Sequence, residues 1–260
     1  MITTLSFLIL FLYGKEQPPN FAKHFSGIDG AFVLYDSKQD KYYRHNAKRC
    51  AERLSPCSTF KIPNALIALE TGVAADESFI IKWDSVKTPR QNLLNSSWAR
   101  DHDLRSAMRF SVVWYFQEIA RRVGELNYKN YLAKFKYGNQ DISGGVDNFW
   151  LASSLKISAN EQIEFLKKLY ANKLGVTERA TNIVKSIIVL EQTEQYKLSG
   201  KTGAGPRENG KMVGWLVGYV EAHNNVYFYA LNIDGKNFQS VAEKRLTLTK
   251  ALLRESKILP

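Results

Sequence analysis

The period of the hydrophobic pattern changes twice along the chain, and this change most limits the folds open to it. Residues 30–35 (Gly-Ala-Phe-Val-Leu-Tyr) and 41–45 (Lys-Tyr-Tyr-Arg-His) have strand length and composition and flank a polar turn at 36–40, which predicts a β-hairpin. From about residue 56 to 189 the apolar residues recur at helical spacing. Helices are predicted at 58–71, 104–110, onward to 123, 127–135, behind the capping box Ser158-Ala-Asn-Glu161, and at 177–189. Strand patterns return at 196–203, 213–220 and 226–232, and a closing helix is predicted over 241–253. This order predicts an α+β fold, an αβα sandwich. Its mostly antiparallel sheet is built from both chain ends, with flanking helices and an inserted all-helical lobe. The expected units are an N-terminal segment at 1–20 and one unit at 21–260, with a sheet lobe at 21–55 and 190–260 and a helical lobe at 56–189. A cleft between two such lobes is a favoured ligand site.

Composition sets aside several function classes. The 260 residues, 45% hydrophobic and 23% charged, describe an ordinary globular protein with a sizeable core. The net charge of +11 comes from scattered lysines and arginines without a basic stripe, so it reads as a solvated surface that attracts small anions. No nucleic-acid partner is expected. The apolar run at residues 5–13 is too short to span a bilayer, so no stable membrane span is expected. It suits the core of an export signal, although no basic residue precedes it, and a buried N-terminal segment is the other reading. Cys50 and Cys57 can pair in an oxidising compartment or stand as two buried thiols. The four histidines lack metal-ligand spacing, and no metal is expected.

The densest chemistry lies at Ser58-Thr59-Phe60-Lys61, which opens the apolar helix. A lone serine there reads equally as a helix N-cap. Lys61 is harder to explain away, because a lysine in the first turn opposes the helix dipole and here enters a buried face. Burial disfavours its ammonium form and leaves an amine that can act as a base. A hydroxyl one helical turn away becomes an activated nucleophile.

Three more stretches fall into relation with this one: Ser111-Val112-Val113 at a helix junction, Tyr137-Gly138-Asn139 after a helix, and Lys201-Thr202-Gly203 on a strand. Each is common alone; the four together, in this order and on these elements, are specific. With Phe110-Ser-Val-Val-Trp114, Tyr137-Gly-Asn-Gln-Asp141, Phe149-Trp-Leu151 and Gly200-Lys-Thr-Gly-Ala-Gly205, the chain resembles the serine penicillin-recognising enzymes from about residue 30 to its end. Within them it is most similar to the class D (oxacillinase-type) β-lactamases. Class A enzymes carry Ser-Asp-Asn at the second motif and a glutamate for the hydrolytic water. This chain has Ser-Val-Val, and Val123 stands where that glutamate would be.

The resemblance implies a serine β-lactamase in the periplasm or secreted from a bacterium, acting on β-lactam antibiotics. It implies that Ser58 is acylated and that Lys61 is N-carboxylated by carbon dioxide or bicarbonate, the one small molecule the chemistry needs. Phe60, Val113, Trp150 and Leu151 are expected as apolar walls around Lys61, with the Trp150 indole N–H as a donor to the carbamate. Trp150 read without the motifs is an ordinary core aromatic. Ser111 is expected to relay a proton to the leaving nitrogen. Lys201, Thr202, Gly203 and Arg245 are expected to bind the substrate, and the amides of Ser58 and Ala204 to form an oxyanion hole. Read alone, Arg245 is equally a surface arginine. Tyr137 and Asn139 are expected to shape the cleft floor. The alternatives that share the acylation half are a penicillin-binding DD-peptidase and a β-lactam sensor domain that is acylated without turnover. A non-catalytic anion-binding module is the reading from another class, and it would make the four motifs a coincidence.

Overall fold

Alternation along the central strands decides the architecture, and the computed structural model describes it over residues 18–260. The apolar run at 5–13 lies outside the described residues. Strand β1 (Gly30–Asp36) sends Phe32 and Leu34 to one face and Ala31, Val33 and Tyr35 to the other, and both sets are buried. β6 (Asn225–Gly235) divides in the same way, with Tyr229, Leu231 and Ile233 opposite Phe228 and Ala230. A sheet apolar on both faces must be covered on both, which accounts for the layers.

The strands run in the order β2-β1-β6-β5-β4-β3, every neighbouring pair antiparallel. The remaining strands are β2 (Lys41–His45), β3 (Val189–Gln192), β4 (Tyr196–Pro206) and β5 (Met212–Ala222). β1 from one chain end thus pairs with β6 from the other, as the α+β sandwich requires. Helices α1 (Ala47–Ala51), α2 (Lys61–Glu70), α3 (Leu104–Phe110), α4 (Val113–Val123), α5 (Glu125–Phe135), α6 (Ala159–Tyr170) and α7 (Glu178–Ile187) come between, and α8 (Phe238–Glu255) closes the chain. α8 covers one face with Val241, Leu248, Leu252 and Leu253. The helical region covers the other in one continuous apolar cluster with the sheet. α6 falls inside the expected helical lobe yet packs on β1, β5 and β6.

Two short elements differ from the sequence reading. β3 occupies residues 189–192, where a helix was expected to reach 189; this four-residue edge strand is created by its pairing with β4. α1 is five residues long, too short for a periodic pattern, and is started by the Asn46 side chain accepting from Arg49 N at 3.2 Å. Cys50 and Cys57 are both buried and unbonded to each other. Among the described residues no helix is long and apolar enough to cross a membrane.

A charge cluster locks the chain ends to the β4–β5 hairpin. Asp234 on β6 accepts from Arg49 at 2.6 Å and from Arg207 at 2.7 Å, while Arg49 also donates to Asn232 at 2.6 Å and Arg207 to Glu52 at 2.6 Å. Burial alone would raise the Asp234 carboxyl, but its bonds to Arg49 and Arg207 outweigh that and hold it below the usual 3.8. Asp234→Ala leaves two guanidiniums facing each other and should cost about 3–5 kcal/mol, read as a lower urea midpoint at pH 7. Because the folded carboxyl titrates below the unfolded one, the native contribution is complete only well above 3.8, where both forms are ionised. The gap between wild type and variant should therefore close as pH falls through the depressed value.

Candidate active site

The turn that carries Ser58 is built from a strained start. Pro56, in the right-handed helical region, opens a 3-10 turn over Cys57–Phe60 that runs directly into α2. Cys57 has φ +49°, a left-handed conformation that costs a non-glycine residue about 1–3 kcal/mol. Ser58 makes no side-chain cap on this turn, so the N-cap reading falls away. Its half-buried hydroxyl instead accepts from Lys61 Nζ at 2.9 Å.

Lys61 is 0% exposed. Its Nζ lies 5.4 Å from the centre of the Phe116 ring, and burial lowers it from 10.5 to about 7. At neutral pH much of it is therefore free amine. Trp150, also 0% exposed, stacks on Phe60 with centroids 5.4 Å apart. The Trp150 indole N–H is buried without a hydrogen-bond partner. A buried donor left without an acceptor calls for one, and an anionic group on Lys61 would supply it. Val113 opens α4 and Leu151 follows Trp150; both are half-buried and packed against the same core.

Ser111 comes from another part of the helical region. α3 is started by an Asp103–Ser106 capping box and ends at Ser111 in the left-handed region (φ 57°, ψ 39°), which turns the chain into α4. Lys201 Nζ on β4 donates to Ser111 Oγ at 3.0 Å and to Thr202 O at 3.1 Å. Lys201 is pushed well below 10.5 by burial, then by the positive charges of Lys61 and Arg245. Arg245, on α8, donates from Nη1 to Gly203 O at 3.0 Å, while its buried Nε has no partner. Burial pulls Arg245 down to about 10. It is a half-buried arginine tied to the Lys201–Gly203 strand, with the hydrogen-bonding capacity of its Nε unspent.

Gly203 explains how close the two halves come. A Cβ there would lie 2.8 Å from Pro56 O and 3.2 Å from Thr59 N, so only glycine lets β4 pass against the Ser58 turn. That approach sets residues 203–205 of β4 against the turn that carries Ser58. Ser55 holds the opposite wall: its Oγ donates to Trp150 O and accepts from Ala152 N, both at 3.0 Å, while its carbonyl accepts from Trp215 Nε1 at 2.9 Å.

Ser58, Lys61, Ser111, Lys201, Thr202, Gly203, Ala204 and Arg245 are thus brought together, with Trp150 behind them. Tyr137 and Asn139 are not. Tyr137 is 0% exposed and packs edge-on against Phe60 and Phe165, which places it in the core instead of on the cleft floor. Asn139 is spent on backbone, donating to Ser154 O at 2.9 Å and accepting from Lys156 N at 2.8 Å. Phe116 went unread in the sequence, although it lies one helical turn from Val113 on the same face. Ser55 gave no signal, because its bonds to Trp150, Ala152 and Trp215 span 95 or more residues. Among the described residues no group of three or more His, Cys, Asp or Glu side chains is gathered as a metal site.

Burying Lys61 costs stability, and the sign of the pH dependence follows. The folded lysine loses its proton near 7 and the unfolded one near 10.5, so the charged form burdens the native state fully below 7 and the burden fades between those values. Lys61→Met should raise unfolding stability by a few kcal/mol at pH 6, and by clearly less at pH 9. Thermal denaturation in bicarbonate-free buffer at the two pH values checks both.

Comparison with known proteins agrees with this geometry. The family model described as penicillin binding protein transpeptidase domain matches residues 30–255. Beta-lactamase OXA-48 of Klebsiella pneumoniae is 44% identical over 246 residues, covering 95% of this chain and 89% of its own length. Beta-lactamase OXA-5 of Pseudomonas aeruginosa is 40% identical over 270 residues, covering 100% of this chain and 99% of its own. Among solved structures, a class D β-lactamase from Sebaldella termitidis superposes with a TM-score of 0.87 at 38% identity, covering 94% of this chain and 98% of its own. The shared fold, the length of the match and the arrangement around Ser58 make this chain a member of the class D β-lactamase family.

Proposed function

We propose that the protein hydrolyses β-lactams through an acyl-enzyme on Ser58, with Lys61 working in its N-carboxylated form. The observation that carries the proposal is the 2.9 Å bond from Lys61 Nζ to Ser58 Oγ inside a pocket where the lysine is 0% exposed. Carboxylation of the Lys61 amine by carbon dioxide supplies a carboxylate general base there, with the Trp150 indole as its unclaimed donor.

The chain's own groups account for the remaining steps. Lys201, Thr202 and Arg245 bind the substrate carboxylate, whose charge offsets their burial. The carbonyl oxygen sits between the Ser58 and Ala204 amides, where loss of one such donor typically costs roughly 3 kcal/mol. Ser58 Oγ gives its proton toward the Lys61 side chain and bonds to the carbonyl carbon, and the ring C–N bond breaks. The departing nitrogen takes a proton from Ser111 Oγ, which Lys201 replenishes across 3.0 Å. Once the Lys61 side chain has passed its proton on to Lys201, it deprotonates a water that attacks the ester, and the departing Ser58 Oγ takes that proton back. A bacterial periplasm or exterior is the compartment that goes with this reading, with the run at 5–13 as an export signal.

Nitrocefin kinetics test the turnover. Many equivalents of product per protein are expected; one equivalent followed by arrest would instead mark a penicillin-binding protein or a sensor domain. Activity should fall on degassing at mildly acid pH and return with bicarbonate, and a carbamate carbon resonance should appear with 13C-bicarbonate. Lys61→Ala should leave a trapped acyl-enzyme or no acylation, seen as a mass shift or its absence. Full turnover by that variant would assign the base elsewhere.

A further inference from the structure

Beneath the Ser58 turn lies a buried polar group that the reaction as described does not use. Thr59 and Gln162 are each 1% exposed and Tyr137 is 0% exposed, in surroundings otherwise made of Phe60 and Phe165. Gln162 Nε2 donates to Thr59 Oγ1 at 3.0 Å, and Thr59 Oγ1 donates to Pro56 O at 2.8 Å. Pro56 O also accepts from Thr59 N at 3.1 Å, so one carbonyl anchors both ends of the turn that contains Ser58. Burial raises the Tyr137 phenol, and the Thr59 and Gln162 side chains pull it partway back. Its hydroxyl nevertheless makes no hydrogen bond of good geometry. Tyr137 therefore roofs the pair, and Gln162 is the member that grips it.

We infer that Gln162 is a positioning residue for the oxyanion hole, acting through Thr59 on the turn that presents the Ser58 amide. Two constraints make such a grip necessary. Cys57 enters the turn at φ +49°, a conformation that relaxes unless its neighbours hold it. Gly203 lies against the same turn, and the space that a Cβ would need is already taken by Pro56 O and Thr59 N. A relaxation of Pro56 or Thr59 would therefore move the Ser58 amide relative to the Ala204 amide.

The platform beneath is stiff. α6 carries Gln162 and is started by the reciprocal Ser158–Glu161 capping box. Arg53 donates to both Glu161 oxygens, at 3.0 and 3.1 Å, and Leu54 and Ile157 exchange backbone bonds at 3.0 and 2.8 Å. The strand-like lead into the turn and the helix under it are thus one unit, and Gln162 is its polar contact with Thr59.

The inference rests on the reading of Ser58 as nucleophile, and its test separates the two. Gln162→Met keeps the length of the side chain and removes the donor; Thr59→Val keeps its shape and removes the hydroxyl. Each should lower kcat/KM for nitrocefin by about 10- to 100-fold, the scale of misplacing a catalytic group. An arylboronic acid, which forms a tetrahedral adduct on the serine, should lose affinity by the same factor. If Gln162 acts through Thr59, the double variant should be no worse than the poorer single one. Unchanged kcat/KM and boronate affinity, with only Tm lowered, would leave Gln162 a packing residue and overturn the inference. So would losses that multiply in the double variant. Should Gln162→Met not fold, Thr59→Val decides alone, by whether kcat/KM and boronate affinity fall together. A wild type that releases not even one equivalent of product from nitrocefin would remove the Ser58 reading itself, and this inference with it; wild-type acylation with unaltered variants removes this inference only.

Discussion

Removing water from the end of one lysine is the interaction on which the cleft depends. Among the described residues Lys61 Nζ has a single hydrogen-bond partner, Ser58 Oγ, and it lies against the Phe116 ring. An ammonium group in that setting carries a desolvation cost that one neutral hydroxyl cannot offset, and the pair settles toward free amine. The rest of the helical region follows from keeping that end dry. Phe60 and Trp150 stack at one wall, Phe116 lies under the nitrogen, and Ser55 ties the Trp150 segment to β5. Lys201 and Arg245 add two more cations held partly or wholly out of water. A cleft with three such groups is a store of unfavourable electrostatics, offset by the two apolar clusters on either side of the sheet.

What the sequence made legible divides along physical lines. The sandwich was readable because its strands are apolar on both faces and its helices have strong period, so local pattern and tertiary burial agree. Ser58, Lys61, Ser111 and the Lys201–Gly203 strand were readable as motifs, since chemistry fixes both the residue types and the elements that bear them. β3 and α1 were not, because pairing with β4 and a single Asn46 bond decide them. Tyr137 shows the opposite failure. Its position beside Gly138 and Asn139 made it look like a cleft residue, yet the aromatic ring turns inward and meets Phe60 from below. A motif tells which residues stand near a site, and only packing tells which side of the backbone each one occupies.

The glycines of the β4 strand show why the discontinuous architecture matters. Ser58 comes from the 3-10 turn that leads into α2, Ser111 from the α3–α4 junction, the Lys201–Gly203 strand from β4, and Arg245 from α8. No two of these are neighbours in sequence, so the cleft exists only once the sheet has closed β1 against β6 and α6 has docked on it. Gly203 and Gly205 then remove the side chains that would hold β4 away; a Cβ at Gly205 would lie 2.6 Å from Cys57 Sγ. Cys57 is accordingly hemmed between Gly205 of β4 and the Ser55 backbone, which is how a left-handed non-glycine residue persists immediately before Ser58.

Charge and strain in the cleft act at different stages, and this separates binding from chemistry. In the proposed reaction the cost of burying Lys201 and Arg245 would be relieved when an anion arrives, and would so contribute to affinity for substrates that carry a carboxylate. The cost of the Cys57 conformation is not relieved by binding, since no substrate atom needs to touch that residue. It is borne by the fold in every state, and it fixes the Ser58 amide before substrate arrives. A preset donor contributes most to the transition state, because no reorganisation is needed as the oxyanion forms. Groups that neutralise the substrate can therefore vary with its structure, whereas groups that hold the turn cannot yield without loss of rate on every substrate. On the proposed reading Thr59 and Gln162, both enclosed in the core, belong to the second kind.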